Sequence, residues 1–169
     1  HYQFKNANSW LSSGGAGTMG YEVPSAIGAQ VGNPDKLVWS ICGDGGFQMT
    51  MCDIATAVES RADIKFAILN NNSLGLVHQL QELFFDETYI ASQYTGNPDF
   101  VKIAEAYGIR GIRVTKKEEV ADAVQQAMET AGPVIVDFIV KEDEGSFPFI
   151  PSGQSVKEML EEPASNEIA

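Results

Sequence analysis

One stretch decides the fold of this chain, Ser40-Ile-Cys-Gly-Asp-Gly-Gly-Phe47. We interpret it as the end of a buried strand that runs into a tight glycine turn and then into a helix. A second apolar strand is predicted over 64–69, and Asn70-Asn-Asn72 ends it. Because the intervening helix returns the chain to its starting edge, both strands point the same way. The sequence therefore predicts that Asp44 and Asn71 lie at one edge of a parallel sheet.

The side chains at this edge suit a divalent cation and an anion. Open α/β sheets bind ligands at the carboxyl ends of their parallel strands. The carboxylate of Asp44 and the amide oxygen of Asn71 are hard ligands for Mg²⁺ or Ca²⁺, and the Gly45-Gly46 backbone N–H groups favour an anion at the helix start. Since no Lys or Arg lies between Lys36 and Arg61, we expect a phosphate or diphosphate held by magnesium.

Strands and helices alternate along the rest of the chain. Further strands are predicted over 109–114 and 134–140, and helices over 21–31, 47–60, 97–107 and 115–131. In the last helix, Thr115 and Glu118 are predicted to form a capping box. This alternation predicts an α/β fold with three layers, a mainly parallel sheet with helices on both faces. We expect a single domain over 1–169, in which 145–169 is a C-terminal tail.

Composition and charge exclude several classes of partner. The net charge of −12 argues against nucleic acid and against an anionic membrane. No apolar run approaches the roughly 18 residues that span a bilayer, and no signal peptide is visible. Cys42 and Cys52 fit no disulfide framework, so a reducing, cytoplasmic compartment is expected. Because the chain starts at His1 without a Met, we expect a fragment of a longer protein.

A second glycine-rich stretch leaves another class of function open, a non-catalytic Rossmann-like module that binds a nucleotide. The stretch is Gly14-Gly-Ala-Gly-Thr-Met-Gly20, which is comparable to a GxGxxG motif. Its context is wrong for that motif, because the apolar strand precedes Asp44 instead of Gly15, and no ribose-binding acid follows a second strand. Calorimetry with NAD would test for a module of this class.

A Gly-Asp-Gly turn followed, one strand-helix-strand unit later, by Asn-Asn is the signature of thiamine-diphosphate enzymes. This chain resembles their diphosphate-binding domain, and in particular the C-terminal domain of the acetolactate synthase (acetohydroxyacid synthase) large subunit. The residues that carry the resemblance are 13–21, 24–30, 43–47, 69–71, 74–77, 81–85, 97–100 and 151–153. The resemblance implies thiamine diphosphate and Mg²⁺ as cofactors. It also implies condensation of two pyruvates to 2-acetolactate and CO₂ in branched-chain amino-acid biosynthesis.

The resemblance implies a role for each residue of the site. Mg²⁺ would be bound by the side chains of Asp44 and Asn71 and by the backbone carbonyl of Ser73. The other implied residues are Gly45, Gly46, Gly75 and Leu76 at the diphosphate, Gly17 and Met19 at the aminopyrimidine, and Val77, Leu80 and Ser152 in the substrate pocket or its lid. Met19 would be the apolar wedge that bends the cofactor and brings its 4′-amino group against the thiazolium C2–H.

Two groups of the family are missing from this sequence. The family activates the aminopyrimidine with a glutamate on an amino-terminal domain of a partner subunit, and a Gln-His pair upstream of His1 also touches the diphosphate. No catalytic residue is therefore assigned in this fragment, and we expect it to be inactive alone. The implied partners are a second copy, in a homodimer or tetramer formed through the missing domains, and a regulatory small subunit.

The resemblance does not decide the substrate. Leu80 stands where biosynthetic members typically have a tryptophan, so we expect looser selection for 2-oxobutyrate over pyruvate and weaker herbicide stacking. Another thiamine-diphosphate decarboxylase or carboligase of 2-oxo acids remains an alternative, because such enzymes share the element formed by Asp44 and Asn71. The stretch 74–85 and the motif Pro151-Ser-Gly153 favour the synthase, and product analysis with pyruvate would decide.

Overall fold

The computed structural model describes residues 3–142 and 144–161, and within them four strands form one sheet. The strands are β1 (Val38–Gly43), β2 (Ile64–Asn70), β3 (Arg110–Val114) and β4 (Val134–Ile139). Their order across the sheet is β1-β2-β4-β3, and every neighbouring pair is parallel. The predicted parallel sheet is confirmed, and β1 and β2 are neighbours in it.

Helices connect the strands and cover the sheet. The α-helices are α1 (Glu22–Gly32), α2 (Asp44–Thr50), α3 (Ile54–Glu59), α4 (Gly75–Phe84), α5 (Phe100–Ala106) and α6 (Val120–Glu129). In the part of the chain that the structure describes, no helix has the length and apolar content needed to cross a membrane.

The two faces of the sheet have separate apolar cores. On one face, α1, α2, α3 and α5 contribute to a buried cluster whose largest members are Phe47, Phe66 and Phe100. The Phe47 ring meets the rings of Phe66 and Phe100 edge-on, with centroids 6.2 and 5.5 Å away. On the other face, α6 packs Ala123 and Ala127 against β3 and β4. Helices on both faces confirm the predicted three layers, and Phe47 fixes the start of α2 next to the end of β1.

The helix predicted over 47–60 is two helices and begins earlier. Helix α2 starts at Asp44, directly after β1, and a 3₁₀ turn over Met51–Asp53 separates it from α3. The break follows Thr50, whose φ of −134° is not helical and whose hydroxyl donates to the Gly20 carbonyl at 2.9 Å. A tertiary hydrogen bond thus interrupts a stretch whose apolar periodicity alone favours one continuous helix.

The start of α5 also differs from the prediction, which put it at Asn97. The helix begins at Phe100, and Asp99 is its N-cap, with Oδ1 accepting from the backbone N–H groups of Val101 and Lys102 at 3.1 and 3.2 Å. The residue before a proline avoids helical geometry. Asn97, which precedes Pro98, therefore stays outside the helix and its side chain serves another purpose.

The capping box predicted from Thr115 and Glu118 is wrong, since the neighbouring glutamate makes the contacts. Glu119 Oε2 accepts from the backbone N–H groups of Thr115 and Lys116 at 3.0 and 3.2 Å and from the Thr115 hydroxyl at 3.4 Å. A 3₁₀ turn over Lys117–Glu119 precedes α6. This tighter turn shifts the contact by one residue, from Glu118 to Glu119.

The chain divides into two compact units. The first comprises 1–72 and 96–140, which contain the sheet, and the second comprises 73–95 and 141–169. Within the second unit, the Gln79 side chain of α4 donates to the Ser146 carbonyl and accepts from the Ser146 N–H, at 3.2 and 2.8 Å. The described part of the predicted tail therefore packs on α4. Residues 162–169 of that tail lie outside the described residues, and the assignment of the whole chain to one domain stays a prediction.

Candidate functional site

The candidate site lies where β1 and β2 end side by side. The strand register pairs Gly43 with Leu69. Asp44 therefore follows β1 at the level of Asn70, the last residue of β2, and Asn71 comes next along the chain. Parallel strands and their carboxyl ends thus bring a carboxylate and two carboxamide residues to one edge of the sheet.

Asp44 is a buried carboxylate held by N–H donors. Asp44 as a whole is 1% exposed, and its Oδ2 atom accepts from Asn97 Nδ2 at 2.7 Å. Backbone N–H groups of Gly45 and Asn72 also donate to the carboxylate. Burial raises the pKa of Asp44 above its ordinary value, and the Asn97 amide and these N–H groups act in the opposite direction.

The negative charge of Asp44 is not balanced by an ion pair in the part of the chain that the structure describes. Among residues 3–142 and 144–161, no Lys, Arg or His forms an ion pair with Asp44. A buried charge is costly unless it is paired or coordinates a metal. The site is thus chemically suited to a cation that comes from outside the chain.

Asn97 connects the ends of β1 and β2, a role in the site that the sequence analysis did not assign to it. Its Nδ2 donates to Asp44 Oδ2 at 2.7 Å and to Asn70 Oδ1 at 3.0 Å, and its Oδ1 accepts from Gln48 Nε2 at 2.8 Å. The contact with Asp44 joins residues 53 positions apart. The only local signal was Pro98, which keeps Asn97 out of the helix and leaves its side chain available.

A row of polar side chains continues from Asn70 across the sheet. Asn70 Nδ2 donates to Asp137 Oδ1 on β4 at 3.0 Å, and Arg113 Nε on β3 donates to Asp137 Oδ2 at 3.1 Å. Arg113 Nη2 also donates to Asp99 Oδ1 at 2.6 Å, and this guanidinium lowers the pKa of Asp99. A prediction of an apolar strand over 134–140 missed the buried Asp137.

The hydrogen bonds of Asn70 separate its role from that expected of Asn71. Asn70 Oδ1 accepts from both Asn97 Nδ2 and the Asn72 backbone N–H, at 3.0 and 3.2 Å. Its Nδ2 donates to Asp137. Both ends of the Asn70 carboxamide are therefore hydrogen-bonded to other groups of the protein. The assignment of a cation ligand to Asn71, which is partly exposed, stays a prediction.

In the first unit, glycines let other groups come close to the backbone. Gly45 and Gly46 are buried in the first turn of α2. A Cβ atom added to Gly46 would overlap Glu22 Oε1, so a side chain at position 46 would displace the flexible end of Glu22. Gly17 has φ +62°, and the Met19 side chain is 40% exposed two residues later. An exposed methionine beside a glycine turn is available to contact a ligand.

The remaining predicted residues belong to the second unit. Ser73 is buried, and its hydroxyl donates to the Ser92 carbonyl at 2.9 Å. Gly75 and Leu76 form the first turn of α4. The other members are the exposed Val77 and the partly exposed Leu80 on α4, and the exposed Ser152. Large apolar side chains of α4 are left exposed, namely Leu76, Val77, Leu83 and Phe84.

The donor set fits a magnesium ion that is completed by a ligand. In the described ranges, no group of three or more His, Cys, Asp and Glu side chains could hold a metal. Mg²⁺ is commonly bound by one or two carboxylates together with phosphate oxygens of a ligand. The buried Asp44 carboxylate, which forms no ion pair with the residues that the structure describes, fits the protein's share of such a site.

Comparison with known proteins agrees with this chemistry. Residues 1–138 match the family described as "Thiamine pyrophosphate enzyme, C-terminal TPP binding domain". An acetolactate synthase large subunit from Corynebacterium glutamicum is 48% identical over 157 residues, which are 90% of this chain and 25% of that protein. The large subunit from Cyanidium caldarium is 44% identical over 152 residues (89% and 26%). The mitochondrial acetolactate synthase catalytic subunit from Saccharomyces cerevisiae is 39% identical over 160 residues (95% and 23%). The chain spans about a quarter of the length of these curated relatives.

Proposed function

Since this chain belongs to the thiamine pyrophosphate enzymes and carries their C-terminal TPP binding domain, we propose that the edge at Asp44 holds the cofactor's diphosphate through a divalent cation. Thiamine pyrophosphate, or thiamine diphosphate, is the family's cofactor, and Mg²⁺ is typical of the family. The observation that carries the proposal is the buried Asp44 carboxylate, which has N–H donors but no cationic side chain among the described residues.

Each predicted residue has a binding or positioning role in this proposal. Asp44 and Asn71 hold the cation through side-chain oxygens, and Ser73 holds it through its backbone carbonyl. Diphosphate contacts are assigned to the backbone N–H groups of Gly45, Gly46, Gly75 and Leu76, and aminopyrimidine contacts to Gly17 and Met19. The exposure of Met19 supports its assignment, because a buried methionine could not contact the cofactor.

For the complete protein we propose acetolactate synthase activity, which condenses two pyruvates to 2-acetolactate and CO₂ in branched-chain amino-acid biosynthesis. Relatives with that name are 39–48% identical to this chain. Bound thiamine diphosphate supplies the nucleophile and the electron sink. The residues of this chain bind the cofactor, fix its position and exclude water. No catalytic residue is assigned here, so this chain alone is expected to be inactive.

The residues of α4 are proposed to cover the reacting groups. Val77 is exposed and Leu80 is partly exposed, and both are apolar, which suits a pocket for a small 2-oxo acid such as pyruvate. Ser152 is exposed in the described part of the tail, and we assign it to the lid. A homodimer or tetramer, a regulatory small subunit and a cytoplasmic location stay predictions.

Calorimetry on the complete protein tests the binding proposal. Thiamine diphosphate is titrated with saturating MgCl₂ or with EDTA into the unaltered protein, Asp44→Asn and the control Asp53→Asn on the neighbouring 3₁₀ turn, and NAD is titrated in parallel. We expect binding that requires Mg²⁺ and is weakened about tenfold or more in Asp44→Asn alone. Equal affinity of Asp44→Asn and the unaltered protein would overturn the proposal, and binding of NAD instead would favour a nucleotide module.

Product analysis with pyruvate tests the reaction. Acetolactate as the main product supports the synthase. Acetaldehyde as the main product would identify a decarboxylase, which shares the cofactor site and differs in the fate of the bound two-carbon unit.

A further inference from the structure

The Asn97 carboxamide determines where the Asp44 carboxylate points, and we infer that Asn97 is a positioning residue for the divalent cation. It touches neither the cation nor the cofactor in this role, and acts by holding Asp44. The inference rests on the proposed function of Asp44 as a cation ligand.

The contacts of Asn97 use all of its amide groups. Nδ2 donates one hydrogen to Asp44 Oδ2 at 2.7 Å and the other to Asn70 Oδ1 at 3.0 Å, while Oδ1 accepts from Gln48 Nε2 at 2.8 Å. One side chain thus joins the start of α2, the body of α2 and the end of β2. The 2.7 Å contact with a carboxylate is a short, charge-assisted hydrogen bond.

The orientation of this amide has only one solution. If the amide were reversed, its oxygen would face the Asp44 carboxylate and the Asn70 carbonyl oxygen, and its nitrogen would face the Gln48 amide nitrogen. Acceptors would then meet acceptors, and a donor would meet a donor. Because the Gln48 amide could itself reverse, the acceptors Asp44 and Asn70 keep the donor side of Asn97 in place, and Gln48 Nε2 holds the Asn97 oxygen.

The far side of the network anchors Asn97 to the sheet. Asn70, which accepts from Asn97, donates to Asp137 Oδ1 at 3.0 Å, and Asp137 is paired with Arg113 at 3.1 Å. Residues on three strands therefore fix the position of Asn70 before any ligand binds. With Asn97 held on both sides, one oxygen of Asp44 is fixed by Nδ2, which leaves the carboxylate preorganised for a cation.

The test measures cation affinity apart from turnover. Mn²⁺, which replaces Mg²⁺ and is detected by EPR, is titrated into the complete protein in the presence of thiamine diphosphate. In Asn97→Ala we expect the Mn²⁺ dissociation constant to rise roughly 10- to 100-fold. The control Glu119→Ala removes a similar set of three hydrogen bonds at the start of α6, and its Mn²⁺ affinity is expected to equal that of the unaltered protein.

A second variant keeps the inference testable if Asn97→Ala does not fold. Gln48→Met leaves Asn97 and Asp44 in place and removes only the donor that holds the Asn97 oxygen. We expect a rise in the Mn²⁺ dissociation constant of about threefold or more, and an unchanged constant in Gln48→Met would overturn the inference.

The outcomes also separate this inference from the proposed function. Absence of Mn²⁺ binding to the unaltered protein, or full affinity in Asp44→Ala, would overturn the proposed function. Binding that is lost in Asp44→Ala but retained at full affinity in Asn97→Ala would overturn the positioning role alone. Weakened binding in Asn97→Ala together with full affinity in Glu119→Ala supports both.

Discussion

Asp137 on β4 and Arg113 on β3 form an ion pair, with Oδ2 and Nε 3.1 Å apart, in which the carboxylate is only 1% exposed. The second oxygen of Asp137 accepts from Asn70, which in turn accepts from Asn97. One buried carboxylate thus links the charged outer strand to the polar end of β2. The charge of Arg113 is what makes burial of Asp137 tolerable, because a buried carboxylate needs a cation or strong donors.

We expect Arg113→Met to lower the free energy of unfolding by about 1–3 kcal/mol, since it leaves Asp137 buried without its cationic partner. Urea denaturation followed by circular dichroism gives the value. Arg110→Met is the matched control, because Arg110 lies at the other end of β3 and its partner is the exposed Gln126. A loss in Arg113→Met no larger than that in Arg110→Met would contradict this role of the ion pair.

The same guanidinium gives the protein a pH dependence through Asp99. The Arg113 hydrogen bond lowers the pKa of Asp99 below its ordinary value. A carboxylate with a lowered pKa stabilises the fold above its unfolded pKa of about 3.9, and this contribution is lost as the pH falls through the lower folded value. Asp99→Asn keeps a good helix cap but cannot titrate. We expect the decrease in unfolding free energy between pH 5 and pH 3 to be smaller in Asp99→Asn, and equal decreases would contradict the prediction.

Glu22 occupies the space that a side chain at position 46 would need. A Cβ atom at position 46 would lie 2.2 Å from Glu22 Oε1, whereas one at Gly43 would meet no atom within 4 Å. Because Glu22 Oε1 is the far end of a flexible side chain and can move aside, we expect Gly46→Ala to cost no more than about 1 kcal/mol of unfolding free energy, and Gly43→Ala to have little effect. Chemical denaturation of both variants measures the contrast. Recovery of stability in Gly46→Ala/Glu22→Ala would identify the clash as the cause, and no recovery would exclude it.

The sheet was predictable because its signals are local. Apolar runs bounded by glycine turns mark β1 and β2, and the intervening helix makes the two strands parallel. The position of Asp44 at their common edge follows from that topology. The same local signals place a carboxylate at the end of a strand without showing what holds it.

The polar contacts that support the edge were not predictable, because they join distant parts of the chain. Asn97 meets Asp44 across 53 residues, and Asp137 meets Asn70 across 67. Lys65 shows the same limit. It is fully buried within the apolar β2, where its ammonium donates to the Thr130 and Gly132 carbonyls at 2.7 Å each and pairs with Asp63. Periodicity assigns such residues to a strand, but only the tertiary structure supplies their partners.

Leu80 allows a test of substrate selection in the complete protein. It lies on α4 and is partly exposed, so a larger side chain can be accommodated there without rebuilding a core. Biosynthetic acetolactate synthases, which this chain resembles, typically have a tryptophan at this position. A flat aromatic side chain there favours 2-oxobutyrate, the acceptor that is one methylene longer than pyruvate. One methylene in an apolar pocket changes selectivity by about 10-fold or more. We therefore expect Leu80→Trp to raise the ratio of 2-aceto-2-hydroxybutyrate to 2-acetolactate when pyruvate and 2-oxobutyrate compete.

Leu83→Trp, one turn further along α4, is the control and should leave the ratio unchanged. Equal ratios for Leu80→Trp and the unaltered protein would show that residue 80 does not contact the acceptor.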